Sequence, residues 1–277
     1  QAVLWAATDV DPKNENPELT TSEPYVMGSH ATGCGAWCSG PSDVSPEEYQ
    51  WGYNRMMSVE GLFGAGDAVG GTPHAFSSGS FTEGRIAAKS ACQYIDDGKA
   101  EGIKVSEATL AKLKEEVFRP MEHYKIHRND IVAGEVNPNY HNPRQELDRL
   151  QKLMDEYCGG VTVNYMTNDK LLSIGLKKLK IMEEDLEKIA AKDLHELLRA
   201  WEVKHRHRTS ESVMQHTLFR KETRWPGYYY RGDALKLDDE NWHVLTVSRR
   251  DPETGKYTME KAPLYHLHDE NEAAAAE

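Results

Sequence analysis

Between about residues 104 and 210 the chain has the hydrophobic pattern of amphipathic helices. Apolar residues recur every three or four positions, and charged residues fill the positions between them. Asn142 and Pro143 predict the start of one helix as its N-cap and first residue, and Gly159 predicts its end. We therefore predict three or four helices packed as a bundle, with apolar stripes at Leu110, Leu113, Val117, Leu147, Leu150, Met154, Tyr157, Leu172, Leu176, Leu179, Met182, Leu186, Ile189, Leu194, Leu197, Leu198 and Trp201.

The segments on either side of these helices have a different composition. Most of the 21 glycines lie within residues 25–98, which predicts short strands, tight loops and one helix. Residues 211–268 are rich in arginine and aromatic residues, and the alternation at residues 244–249 predicts a strand followed by a hairpin turn. Residues 1–24 read as a polar connection and residues 269–277 as a frayed acidic tail.

Composition and charge exclude several classes of protein. The 277 residues carry a net charge of −12, which argues against a nucleic-acid-binding surface. No apolar run approaches the roughly 18 residues that span a bilayer. Four cysteines are too few for a disulfide framework, which favours a reducing compartment. The chain starts at Gln1 without signal-peptide character, so we expect it to begin in the middle of a fold.

The glycine-rich run at residues 61–71 is the first candidate for chemistry. A short apolar stretch ends in Gly64-Ala65-Gly66, and Asp67 follows directly. Glycines allow a ligand to approach the backbone closely, and a carboxylate there can accept a hydrogen bond from a sugar-like hydroxyl. Two interpretations remain open at this point: a contact with the ribityl chain of a flavin, or a tight turn without a ligand.

A predicted helix at residues 81–94 follows this run. Ser78, Gly79 and Ser80 precede it, where free N–H groups and the helix dipole favour an anion such as reduced flavin. An ordinary serine N-cap fits equally. Upstream, His30 lies among small residues, either as a donor to an anionic substrate or as a structural histidine.

The remaining candidates have mainly structural interpretations. Residues 205–208 (His-Arg-His-Arg) read as a solvated basic helix end, and Cys92 as a thiol packed inside its helix. Cys34 and Cys38 have no second ligand pair, so we predict no metal on this chain. Trp37 and Trp51 are predicted core residues, and the arginine and aromatic residues of 220–231 are predicted to pack against the flavin domain or a partner.

Three stretches together carry a family resemblance: SHATGCGAWCSGP, GYNRMMSVEGLFGAGDAVGGTPHAFSSGSFTEGRIAA and RKETRWPGYYYRGD. They resemble the C-terminal part of adenylylsulfate reductase α subunits, in the fumarate reductase and succinate dehydrogenase flavoprotein superfamily. The resemblance implies an α/β (α+β) FAD-binding domain remnant at residues 25–98. A helical bundle at residues 104–210 and an irregular segment at residues 211–268 then follow, with residues 1–24 as a linker or the end of a capping domain.

The resemblance also implies an activity. Members reduce adenylylsulfate to AMP and sulfite in the cytoplasm, with non-covalently bound FAD. An iron–sulfur β subunit with two [4Fe-4S] clusters is the implied electron donor and partner. Two alternatives stay open: a fumarate- or succinate-type flavoprotein, and a non-catalytic helical interaction fragment.

Residue by residue, the resemblance implies three sets of contacts. Gly66 and Asp67 match the ribityl-contacting position, and His30 matches a histidine that lines the substrate pocket. Phe76 matches an aromatic wall near the adenine or the flavin. The contacts with the flavin ring fall on Ser78, Gly79, Ser80, Phe81 and Thr82. Because no G-x-G-x-x-G follows a strand near the start, we expect this chain alone to be inactive and to bind FAD weakly.

Overall fold

The computed structural model describes residues 11, 14, 34–43, 45–70, 77–102, 104–130, 137–224 and 229–264. Five long helices dominate it: α1 (Ser77–Asp96), α2 (Glu107–His127), α3 (Pro143–Tyr157), α4 (Asp169–Leu186) and α5 (Leu194–Phe219). A short helix, α6 (Asp239–Trp242), precedes the C-terminal hairpin. The mixed helix and strand composition confirms the predicted α/β (α+β) class.

Local capping signals set the helix ends as the sequence predicts. The Asn142 side chain accepts a hydrogen bond from the Gln145 N–H, and the Gln145 side-chain oxygen accepts one from the Asn142 N–H, which completes a capping box. Asn168 caps α4 in the same way through the Leu171 N–H. Gly159 has a φ of 86°, a left-handed conformation that ends α3.

The main core lies between α3, α4 and α5. Six of its ten buried residues belong to the predicted stripes, whereas Leu153, Ala200, Val203 and Met214 were not predicted, and all ten lose most of their contact with water. The predicted stripe residues Leu194 and Leu198 are instead 67% and 56% exposed. The ten buried residues are Leu150, Leu153, Leu172, Leu179, Met182, Leu186, Ile189, Ala200, Val203 and Met214. The prediction of a helical bundle is therefore confirmed for these three helices.

Helix α2 forms as predicted, but its apolar stripe is not part of that core. Leu110, Leu113 and Val117 are 45%, 50% and 42% exposed. The helix is held at its C-terminal half instead, where Trp201 donates to the Val117 carbonyl oxygen at 3.0 Å and Ala191 donates to that of Pro120 at 3.0 Å. Periodicity therefore identified the helix correctly, but not its packing.

Two small sheets complete the described part of the fold. Strand β1 (Met166–Thr167) pairs in parallel with β2 (Tyr230–Arg231). Strands β3 (Val244–Arg250) and β4 (Tyr257–Pro263) form an antiparallel hairpin, which confirms the strand predicted at residues 244–249. The glycine-rich region before α1 has isolated bridges, Ala36 with Val69 and Met56 with Phe63, rather than the predicted short strands within its described residues.

The hairpin packs on the glycine-rich region. Val247 and Ala262 are buried against Tyr49, and Trp37 and Trp51 pack around them, which confirms the core interpretation of both tryptophans. The Tyr49 hydroxyl donates to Glu260 at 3.2 Å. This second, smaller core joins residues that are about 200 positions apart in the sequence.

Two structural predictions are wrong. Residues 205–208 lie in the middle of α5, which continues to Phe219, because the helix passes through the composition change at residue 210. His207 is 3% exposed, and its Nε2 is 2.8 Å from the Leu179 carbonyl oxygen, so this stretch is not a solvated helix end. Cys92 lies on the exposed face of α1 rather than inside it.

Candidate functional site

The glycine-rich run and the start of α1 lie side by side. Gly66 begins a single 3-10 turn, Gly66–Ala68, and is buried with a φ of 65°. A Cβ built on Gly66 would lie 3.4 Å from the Ser80 hydroxyl oxygen. The left-handed backbone and this close approach both favour glycine, and they place the Gly66–Asp67 peptide beside the first turn of the helix.

The described side chains around this contact face outward. Asp67 and Thr82 are exposed, and Phe81 is 75% exposed although it is a large apolar residue. Gly79 and Ser80 are partly buried. The exposed carboxylate is a possible hydrogen-bond acceptor, the exposed ring a possible apolar contact, and the first turn of α1 a source of backbone donors.

A second glycine contact supports the run from behind. The Ala36 N–H donates to the Ala68 carbonyl oxygen at 2.9 Å, and the Gly70 N–H donates to the Ala36 carbonyl oxygen at 3.1 Å. A Cβ on Gly35 would lie 2.5 Å from the Gly70 nitrogen, so the two backbones meet without room for a side chain. Gly35 and Ala36 therefore lie directly against residues 68–70, just after Asp67.

The remaining predicted site residues fall outside the described residues. These are His30 and Phe76, together with the side chain of Ser78. Of the nine predicted positions, the structure places Gly66 against Ser80, and Asp67, Gly79, Phe81 and Thr82 are their neighbours in the sequence.

An ion pair behind the site had no signal in the sequence. The Arg55 guanidinium makes a two-pronged contact with the Glu83 carboxylate, and Glu83 is 6% exposed on the second turn of α1. The two residues are 28 positions apart in sequence and belong to no local motif. Hydrogen bonding to Glu83 raises the pKa of Arg55, so the guanidinium stays protonated.

The arginine-rich cluster at residues 220–231 has internal partners rather than an open face. Arg231 is fully buried, contacts Asp169 and Asp233, and donates to backbone carbonyl oxygens at the end of α5. Glu222 is also fully buried and pairs with Arg220 and Arg224. These arginines therefore have structural roles within the described residues. Trp225 and Tyr228 of the predicted contact lie outside the described residues, and a contact with a partner stays a prediction.

Cysteines and possible metal ligands add no further centre. All four cysteines are described and are free thiols, and burial raises the pKa of Cys158 to about 11. Among the described residues, no group of three or more His, Cys, Asp or Glu side chains is placed to hold a metal ion. None of the described helices is long and apolar enough to cross a bilayer.

A separate cleft of about 350 Å³ lies near the other end of α1. Its lining includes Trp51, Tyr53, Met57 and Tyr94. Ser80 and Tyr94 are 14 positions apart on one helix, which at 1.5 Å per residue separates them by roughly 20 Å. The cleft is therefore distinct from the surface around Gly66 and Ser80.

Comparisons with known proteins show which proteins this chain is similar to. The family described as "Fumarate reductase flavoprotein C-term" matches residues 147–270. The adenylylsulfate reductase subunit alpha of Megalodesulfovibrio gigas is 43% identical over 96% of this chain and 41% of its own length. This chain thus spans about two fifths of that relative.

Solved structures give the same result. The adenylylsulfate reductase of Archaeoglobus fulgidus superposes with a TM-score of 0.81 and 45% identity, over 96% of this chain and 42% of its own. An adenosine-5-phosphosulfate reductase in complex with sulfite, as a covalent adduct, matches with the same values. The E. coli quinol fumarate reductase matches with a TM-score of 0.54 and 20% identity, over 76% of this chain and 34% of its own, and shows a shared fold. By sequence and by fold, this chain is thus similar to about two fifths of an adenylylsulfate reductase α subunit, and its residues 147–270 match the C-terminal family of fumarate reductase flavoproteins.

Proposed function

We propose that this chain works within an α subunit that reduces adenylylsulfate to AMP and sulfite with bound FAD. The observation that carries the proposal is the 43–45% identity to adenylylsulfate reductases over 96% of the chain. The fumarate reductase match, at 20% identity, supports the fold and not that reaction. The proposed setting is the cytoplasm, with a β subunit that carries two [4Fe-4S] clusters as the electron donor.

The surface around Gly66 fits one half of FAD. The left-handed turn at Gly66 leaves the backbone open to close approach, and Asp67 is exposed beside it as a hydrogen-bond acceptor. We assign Asp67 to a ribityl hydroxyl. When bound there, FAD supplies the two-electron transfer between the iron–sulfur donor and the substrate.

The start of α1 has the right charge for that cofactor. Its first turn, Ser77–Ser80, contains no carboxylate, and the N-terminal backbone N–H groups favour negative charge. We assign Ser78, Gly79, Ser80, Phe81 and Thr82 to the isoalloxazine ring. Donors held in place at this position stabilise the anionic reduced form without reorganisation.

Substrate binding is assigned to His30 and Phe76. Adenylylsulfate is anionic at its sulfate group, and a histidine N–H can donate a hydrogen bond to one of those oxygens. Phe76 would cover an aromatic ring of the substrate or cofactor. The reaction accepts two electrons at sulfur and breaks the bond between sulfur and the phosphate-linked oxygen, so that AMP and sulfite leave.

An assay of both candidate reactions tests the proposal. The α subunit that carries this chain is purified with its β subunit, and AMP- and sulfite-dependent reduction of ferricyanide is followed, with succinate as the competing substrate. We expect turnover that requires both AMP and sulfite. Turnover with succinate and none with AMP plus sulfite would replace the proposal with the fumarate or succinate alternative.

A further inference from the structure

Arg55 occupies an unusual backbone position for a residue with a long side chain. Its φ is 66°, in the left-handed region that non-glycine residues rarely adopt. Its guanidinium contacts both oxygens of Glu83, with Nη2 2.9 Å from Oε1, and Nη1 donates to Asn54 Oδ1 at 3.0 Å. Such a conformation persists only where the surroundings determine it.

The backbone of Arg55 connects two further segments. Its N–H donates to the Ser39 carbonyl oxygen at 2.7 Å, and its carbonyl oxygen accepts from the Gly64 N–H at 2.9 Å. Gly64 opens the run that reaches Gly66 two residues later. One residue therefore holds the glycine-rich run through its backbone and α1 through its side chain.

The partner on α1 lies directly behind the candidate site. Glu83 follows Ser80 by three positions and Gly79 by four, so these residues share one face of the helix. Ser80 is the residue that Gly66 contacts. Holding Glu83 against Arg55 thus fixes the first turn of α1 relative to the turn at Gly66.

The charge of the pair is also matched to the site. Removing Arg55 would leave a buried carboxylate about one turn from the helix start that we assign to anionic flavin. Removing Glu83 would leave an unpaired guanidinium there instead. A buried pair is costly to break on one side only, because the remaining charge has no partner.

We propose that Arg55 and Glu83 form a positioning pair that sets the flavin-contacting start of α1 against Gly66 and balances its charge. This inference rests on the proposed function, because it assumes that flavin binds at this surface. Neither residue is assigned a contact with substrate or flavin. Both act through Ser80, Gly79 and Gly66.

The test compares Arg55→Gln and Glu83→Gln in the purified holoenzyme. We expect each variant to raise the FAD dissociation constant about tenfold or more. The reduction potential of the bound flavin should move in opposite directions, down for Arg55→Gln and up for Glu83→Gln, because opposite charges are left behind. If the pair had a purely structural role, both variants would weaken FAD binding, but their flavin reduction potentials would not shift in opposite directions.

Three further variants complete the design. Arg55→Lys retains the charge but not the two-pronged contact, so we expect it to restore the potential more than the affinity. Arg119→Gln breaks the exposed pair with Glu187, whose side chains are 53% and 59% exposed, and should change neither quantity. If a single variant fails to fold, the double variant Arg55→Met/Glu83→Met removes both charges together. Its FAD affinity and reduction potential are then compared with those of the parent.

The outcomes separate this inference from the proposed function. The inference alone would be overturned if Arg55→Gln and Glu83→Gln fold and keep the parental FAD affinity and reduction potential. If the single variants do not fold, parental affinity and potential in the double methionine variant would overturn it. A parent that binds FAD but does not turn over AMP plus sulfite would overturn the proposed reaction and leave the pair testable through the flavin. A folded parent without affinity for FAD would overturn both.

Discussion

Gly66 lies against Ser80, so that a Cβ added to the glycine would be 3.4 Å from the serine hydroxyl oxygen. This contact joins the turn that carries Asp67 to the first turn of α1. It places two elements, each a weak signal in the sequence, on one surface. The proposed flavin contacts depend on this juxtaposition.

Replacing Gly66 by alanine tests the contact. The φ of 65° strains any L-residue, so we expect Gly66→Ala to lower the free energy of unfolding by about 1–2 kcal/mol and to weaken FAD binding. Denaturant unfolding and FAD titration measure the two effects. Gly84→Ala is the matched control on α1, where an added Cβ meets nothing within 4 Å and should stabilise the helix by up to about 1 kcal/mol. Equal changes in unfolding free energy and in FAD affinity for Gly66→Ala and Gly84→Ala would contradict the proposed role of Gly66.

The buried arginine at β2 gives a prediction about stability. Arg231→Met removes the partner of Asp169 and Asp233 and leaves backbone carbonyl oxygens at the end of α5 without a donor. We expect a loss of about 3 kcal/mol in unfolding free energy, measured by urea denaturation. Arg119→Met, which breaks an exposed pair, should cost less than about 1 kcal/mol. Similar losses in both variants would show that the buried network does not stabilise the C-terminal segment.

His207 predicts a dependence of stability on pH. Burial lowers the pKa of His207 below the ordinary 6.5, and the charge of Arg208 lowers it further. The hydrogen bond with the Leu179 carbonyl oxygen and the charges of Glu183 and Glu211 raise the pKa and oppose this shift. Between the folded pKa and about 6.5 the unfolded chain binds the proton first, so stability falls as the pH falls through this window.

The check is the melting temperature from pH 5 to 8. His207→Gln should flatten the decline on the acid side, although burial also lowers the pKa of His216, which will retain part of the slope. His195→Gln, at an exposed position of the same helix, should keep the parental slope. An unchanged slope in His207→Gln would assign the acid sensitivity to other groups.

Sequence reasoning was strongest where the signal was local. Asn142, Pro143 and Gly159 set the ends of α3 through contacts within a few residues, and these were predicted correctly. Residues 205–208 were misread because a basic stretch in the middle of a helix looks like a helix end until its tertiary partners are known. His207 is buried by Leu179 of a neighbouring helix, which no local pattern reveals.

In the candidate site, too, local features are predictable from the sequence and contacts between distant residues are not. Gly66 and Ser80 were each identified from local composition, but their contact depends on the chain path between them. The Arg55–Glu83 pair escaped sequence analysis because neither residue belongs to a motif and 28 positions separate them. Within the glycine-rich run itself the sequence offers no lysine or arginine, and Arg55, from outside the run, pairs with Glu83 of α1.

The histidine prediction addresses substrate rather than cofactor. We expect His30→Ala to lower the rate of adenylylsulfate reduction by roughly 10²–10³-fold, the usual effect of losing a positioned donor, while FAD content stays near the parental level. Steady-state kinetics and flavin absorbance measure the two quantities on the same preparation. Parental turnover in His30→Ala would remove this residue from the reaction.

The most direct test of the flavin assignment is a sulfite titration of the purified holoenzyme, followed by visible absorbance. If FAD binds at the surface around Gly66 and the reaction forms sulfite beside it, the flavin absorbance should change saturably as sulfite is added. Asp67→Ala and Gly66→Ala should weaken the change. A flavin spectrum that stays constant up to high sulfite concentration, in enzyme with full FAD content, would contradict the account.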